Sequence, residues 1–211
     1  MRRRALWVVL GLGLMACSAE ASAILIVDSN GILQGATGVT VGGALYDVEL
    51  LNGSCPALFS GCDDASDFQF QTSGAATLAA QALLDQVFLD GPLGTFDSSP
   101  EMNSGCWPQP PSPEAVCEIY VPFQVAPPCC YPPPFSYAAW SSVAYNRKAS
   151  TDGVVSMVYS FVETESEFLV PQRAAGYARF RNSTSVPEPA TVALVAMGLV
   201  GTGLARRRRR G

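Results

Sequence analysis

Histidine is absent from the 211 residues of this chain. That absence excludes Ser-His-Asp and Cys-His nucleophilic catalysis and every histidine-ligated zinc site. Charge is scarce as well, at 15% of residues, and it is segregated. Of 13 cations, Arg2 to Arg4 and Arg206 to Arg210 sit at the two ends. Arg147, Lys148, Arg173, Arg179 and Arg181 are the five that remain between them. Setting aside Glu20 and Glu188, 16 carboxylates face those five cations, a net charge of −11. So acidic a body repels phosphate backbones, and nucleic acid is excluded as a partner. Patterns of the G-x-S-x-G, S-x-x-K and phosphate-loop kinds are missing, as are C-x-x-C and any internal repeat. Nothing calls for a cofactor, and the expectation is a body without enzymatic activity.

What is present begins at the N-terminus. Arg2 to Arg4 precede an apolar run, Ala5 to Met15, and small residues ending Ala21-Ser22-Ala23. A basic start, a short apolar stretch and an A-x-A site describe a secretory signal peptide over residues 1–23. Cleavage after Ala23, with Ala21 and Ala23 as the small recognition residues, starts the mature chain at Ile24. Leu14-Met15-Ala16-Cys17 offers a rival, a loose lipoprotein box with Cys17 as the lipidated residue.

The C-terminus has three parts. A polar stretch leads through residues 182–189 to Pro187-Glu188-Pro189, an apolar run follows from Ala190 to Ala205, and residues 206–211 form a basic tail. Sixteen helical residues rise about 24 Å, short of the roughly 30 Å hydrocarbon core. Flanking arginines snorkel and bilayers thin, so a spanning helix is the expectation, with its basic end in the cytoplasm. This order resembles the PEP-CTERM sorting signal of Gram-negative bacteria, over about the last 25 residues. The resemblance implies that Pro187, Glu188 and Pro189 are read by an exosortase, a membrane-embedded transpeptidase-like protease. It further implies transient inner-membrane anchoring and delivery to the cell surface or extracellular matrix. Exopolysaccharide, as in biofilm or floc material, is the implied setting and a further partner. The segment from Gly43 to Cys106, with GALYDVEL, CPALFSGCDDASDF and ALLDQVFLDGPLGTFD, also resembles a body that recurs among PEP-CTERM proteins; that likeness carries no activity with it.

The exported domain, 24–181, reads as α+β: mainly antiparallel strands, as a sheet or sandwich, with one amphipathic helix. Strands are expected at Ile24–Asp28, Gly38–Gly42 and Ala44–Leu50, and Asp67–Gln71 alternates with the same period of two. Gly74 to Leu89 reads as the helix, capped by Thr72 or Ser73 and ended by Gly91-Pro92. Its apolar stripe is Leu78, Ala82, Leu83, Val87 and Phe88. Residues 97–113 and 127–134 read as loops. Later strands are expected at 117–125, 136–147, 153–163 and 174–180, with Pro122 demoting its run to an edge or a bulge.

Six cysteines remain beyond Cys17, an even number in an exported chain, and they read as disulfides. Short local loops favour Cys55–Cys62 and Cys106–Cys117, leaving Cys129 and Cys130 to pair with each other or between chains. Zinc is the weaker reading, and no metal site is expected. Asp28-Ser29-Asn30-Gly31 and Asp63, Asp64 and Asp67 place oxygen ligands near turns, where calcium would be held, although such residues serve turns on their own account. Glu163, Glu165 and Glu167 share a face if extended, as a glycoside hydrolase or a solvated edge would have them. Trp107, Tyr137, Trp140 and Tyr145 are candidates for sugar stacking or for packing. The expectation is therefore a structural or adhesive surface protein. A carbohydrate- or calcium-dependent binding module and a carboxylate-based glycoside hydrolase are the alternatives.

Overall fold

The computed structural model describes residues 22–106, 115–126, 137–161 and 173–183. The chain opens with an antiparallel meander of β1 (Ile24–Val27), β2 (Leu33–Val41) and β3 (Ala44–Leu51). Asp28 makes the first turn, its Oδ1 accepting from the amides of Asn30 at 2.8 Å and Ile32 at 2.9 Å. Gly42 and Gly43 make the second with φ of 58° and 85°, a pair of left-handed residues that matches strand twist and favours glycine. Beyond β3 come α1 (Cys55–Leu58), a 3-10 turn at Ala65–Asp67, and α2 (Ser73–Gln86). The small hairpin of β4 (Asp90–Gly91) and β5 (Gly94–Thr95) follows, then β6 (Val116–Val125), β7 (Tyr137–Arg147), β8 (Gly153–Phe161) and β9 (Arg173–Asn182).

Seven of these strands form one sheet in the order β1-β2-β3-β9-β6-β7-β8. Every pairing is antiparallel except β6 with β9, and the α+β class holds. The last strand among the described residues is thus inserted at the centre of the sheet. Gly176 on β9 lies against Gly105; an added Cβ would meet the Gly105 Cα at 2.7 Å and the Leu51 carbonyl at 3.0 Å, so the approach requires both glycines.

The two faces are covered differently. On one, Val48, Leu50, Ile119, Val121, Ala178 and Phe180 join α2 in the main core. The helix turns Ala76, Ala79, Ala80 and Leu83 inward, all at 0% exposure, and leaves Leu78 56% exposed. Of the expected stripe, Ala82, Leu83, Val87 and Phe88 are buried as expected, and Leu78 alone is corrected. Alanines let the helix lie close on the sheet, and that close seat decides which face is buried. Thr72 caps α2, its Oγ1 accepting from the Ala75 amide, as expected. The helix ends at Gln86 rather than near Leu89, because the Val87 and Phe88 amides both turn back to the Leu83 carbonyl and bury both side chains.

On the opposite face a smaller cluster forms from Tyr120, Val143 and Tyr177 under Phe59, Phe68 and the Cys55–Cys62 disulfide. Asp67–Gln71 makes no strand, a second correction. Its alternation is real, but Phe68 packs on Phe59 in the smaller cluster while Phe70 packs on Tyr46 and Phe180 in the main one. The segment crosses between the cores instead of joining a ladder. Pro122 occupies a bulge, since the β6–β7 register slips between Pro122 and Gln124, and its strand is internal rather than an edge. Within the expected loop at 97–113, the described part to Cys106 carries a 3-10 turn at Pro100–Met102. Asn103 and Asn146, both fully buried, donate to the Phe96 carbonyl and fix that loop to β7.

Candidate functional site

Parallel β6 and β9 stay together only from Val116–Arg173 to Tyr120–Tyr177. Beyond that point β9 continues along β3 as far as Asn182, and β6 continues along β7 as far as the Val125–Ala139 pair. The sheet splits there, and a cleft of about 440 Å³ opens where the strands part. Parting of neighbouring parallel strands at their carboxyl ends is a general way of forming a ligand crevice. The crossing segment supplies one wall with Phe68 and Phe70 and part of the rim with Gln69 and Gln71; β9 adds Arg179 and Arg181.

Electrostatics separate the two arginines. Arg179 donates from Nε to Glu49 Oε2 at 2.9 Å and from its guanidinium to the Leu58 carbonyl at 3.4 Å. It ties the α1 layer to β3. Arg181 approaches Glu49 Oε1 at 3.4 Å with its side chain 60% exposed, and so presents donors to solvent at the rim. The Phe rings of the cleft are buried and form its walls rather than open stacking platforms. The cleft can therefore offer amide, guanidinium and carboxylate hydrogen bonds to a polar ligand. These residues were not singled out from the sequence; the signal was Arg179-x-Arg181, two cations on one strand face in an otherwise acidic body.

The acidic clusters serve their own turns. Asp28 Oδ2 accepts from Gln34 Nε2 while Oδ1 holds the turn, and the Ile32 amide foremost keeps its carboxyl below the usual range. Asp64 and Asp67 form a reciprocal capping box, and the Ser66 amide holds the Asp64 carboxyl low. Asp90 is held low chiefly by the Ser98 amide. Asp152 moves upward, through burial first and then the Asp97 carboxyl, against the opposing Arg147 amide. Among the described residues no three His, Cys, Asp or Glu side chains converge as metal ligands would.

Both expected local disulfides are formed, Cys55–Cys62 and Cys106–Cys117, with Cα separations of 5.7 and 5.4 Å. Ala23 packs against the main core just ahead of β1. Trp140 packs on the main core and Tyr145 on the smaller one, with Arg147 over the Tyr145 ring at 4.7 Å. The two aromatics face opposite ways. Outside the described residues lie Cys17, Ala21, Trp107, Cys129, Cys130, Glu163, Glu165, Glu167 and the Pro187-Glu188-Pro189 motif, as does the side chain of Tyr137. Both terminal apolar runs lie outside them too; among the described residues no helix is long and apolar enough to cross a membrane.

Residues 185–210 match the family model described as the PEP-CTERM protein-sorting motif. The chain carries a PEP-CTERM sorting signal. That signal implies processing by an exosortase, and it is consistent with export and transient membrane anchoring before delivery. No curated protein and no solved structure matches the chain.

Proposed function

We propose that the body is a non-catalytic surface or matrix component with a structural or adhesive role, delivered by its PEP-CTERM tail to an exopolysaccharide or biofilm setting. The match at residues 185–210 carries the reading, because it places a sorting signal immediately after the last strand of the sheet. Proline on both sides of Glu188 holds that stretch extended and keeps a helix from running back through it, which suits recognition by a protease. Replacing Pro187 to Pro189 by alanine tests the sorting step. The expected outcome is accumulation of the uncut form in the inner membrane, read by intact mass after fractionation. Surface delivery equal to the parent would end the reading.

The cleft favours a second reading, a carbohydrate-binding module. Its mixed rim of amides and guanidinium suits sugar hydroxyls, with Arg181, Gln69 and Gln71 as exposed donors. Retention of the body on immobilised host polysaccharide, lost on Arg181→Ala together with Gln71→Ala, would favour it over a purely structural role.

A further inference from the structure

A second pocket, of about 500 Å³, lies beyond the end of β3 and shares no lining residue with the cleft. The β2–β3 ladder stops at the Gly35–Glu49 pair, while β3 runs on along β9 to Leu51. The chain after the Pro100–Met102 turn enters where those two strands part. Asn103 bridges to Leu33, the Ser104 amide donates to the Leu33 carbonyl at 2.8 Å, and Gly105 seats against Gly176 beside the Leu51 carbonyl. The Asn103 side chain ties the same segment to the Phe96 carbonyl at 3.0 Å. The Asp28 turn adds another wall, held by its own two amide bonds, and Asn52 follows directly on β3. Backbone fixed from several sides lines this pocket, so it is formed before any ligand arrives.

The polar side chains here are the Asp28 carboxylate, the Asn30, Gln34 and Asn52 amides and the Ser104 hydroxyl, and Met102 adds an apolar side. Asp28 accepts from two backbone amides and from Gln34 Nε2 at 3.2 Å, and it stays ionised. No cation among the lining residues offsets that charge, which turns away phosphate, sulfate and carboxylate ligands. No aromatic ring lines the pocket either, so a flat ring system finds no stacking partner. Hydrogen-bonding capacity is left over. Gln34 spends its Nε2 on Asp28 and the Ile32 carbonyl and keeps Oε1 as an acceptor. Among the described residues the Asn52 amide and the Ser104 hydroxyl make no side-chain hydrogen bond. Primary amides and hydroxyls both donate and accept, as do the hydroxyl groups of a sugar.

We propose that this pocket binds a neutral sugar unit through Asn52, Ser104, Gln34 and Asn30, with apolar contact to Met102. The site is independent of the cleft, and either can fail without the other. The test is a titration of the isotope-labelled full chain in detergent, followed by its amide signals. The probes are the methyl glycosides of glucose, galactose, mannose and N-acetylglucosamine, with those of glucosamine and glucuronic acid as the charged counterparts. Each is taken to about 50 mM, enough to fill a millimolar site. At least one neutral glycoside should shift the Asn52 and Ser104 signals saturably. Asn52→Ala together with Ser104→Ala removes no internal side-chain bond, and should weaken that binding at least about ten-fold. Equal affinity in that variant overturns the site. Shifts confined to Gln69, Gln71 and Arg181 would support the cleft and overturn this pocket, as would no shift with any probe at Asn52 and Ser104. Binding here of the glucosamine or glucuronic acid glycoside alone would assign recognition to charge and overturn the neutral ligand.

Discussion

The two faces of the sheet are held by different means. The α2 face is broad, alanine-rich and close-packed, and none of the buried side chains in its core is ionised. Among the described residues the other cover is a four-residue helix and a 3-10 turn, and it is fastened by a disulfide, a capping box and the Arg179–Glu49 pair. A long helix presents enough apolar area to hold itself down; a short segment does not, and covalent and polar ties make up the difference.

The largest effect should come from the packed face. Leu83→Ala removes a fully buried side chain and should cost about 2 to 5 kcal/mol, whereas Leu78→Ala, on the same helix but exposed, should stay within about 0.5 kcal/mol. Urea unfolding of the two variants checks this. Equal losses would mean that the helix seats on the stripe that includes Leu78. Gly176→Ala comes next, at about 1 to 3 kcal/mol, because the new methyl meets backbone on both sides rather than a side chain that can yield.

These contrasts also show where sequence reasoning reached and where it stopped. Strands β1, β3, β6, β7, β8 and β9 were legible from β-branched content and period two, and α2 from its cap and composition. The buried side of α2 was legible at Ala82, Leu83, Val87 and Phe88 but not at its first turns, where Ala76, Ala79 and Ala80 are buried in place of Leu78, because hydrophobicity ranks leucine above alanine while a close approach favours the smaller residue. Phe68 and Phe70 alternate like a strand, but they serve two cores, and only tertiary structure separates one ladder from two. The insertion of β9 between β3 and β6 is non-local and leaves no trace in local pattern. The cleft exists only because of that insertion, so its residues could not be grouped beforehand. The sorting signal, being linear, was legible in full.

On the second face, Cys55→Ser with Cys62→Ser should cost about 2.5 kcal/mol by loop-closure entropy. The loss should appear first as exchange at Phe59 and Phe68, with α2 amides still protected. Simultaneous loss of both layers would show that the faces unfold as one unit, and the comparison would fail.

The smallest effect is a pH dependence that the second face has and α2 lacks. Asp64 is fully exposed, yet the Ser66 amide and hydroxyl hold its carboxyl below its ordinary value of 3.8. A depressed carboxylate binds fewer protons folded than unfolded, so its contribution is present above the unfolded value and is lost as pH falls through the folded one. The cap on α2 is the neutral Thr72 hydroxyl and does not titrate there. Below about pH 4 the Ser66 to Phe68 turn should therefore loosen while residues 73–86 keep their protection. Amide exchange followed from pH 6 to pH 3, after correction for intrinsic rates, measures both regions in one sample. Asp64→Asn retains an acceptor for the Ser66 amide without a titrating group, and should flatten the acid response of the turn. A response that persists unchanged in that variant would overturn the assignment to Asp64.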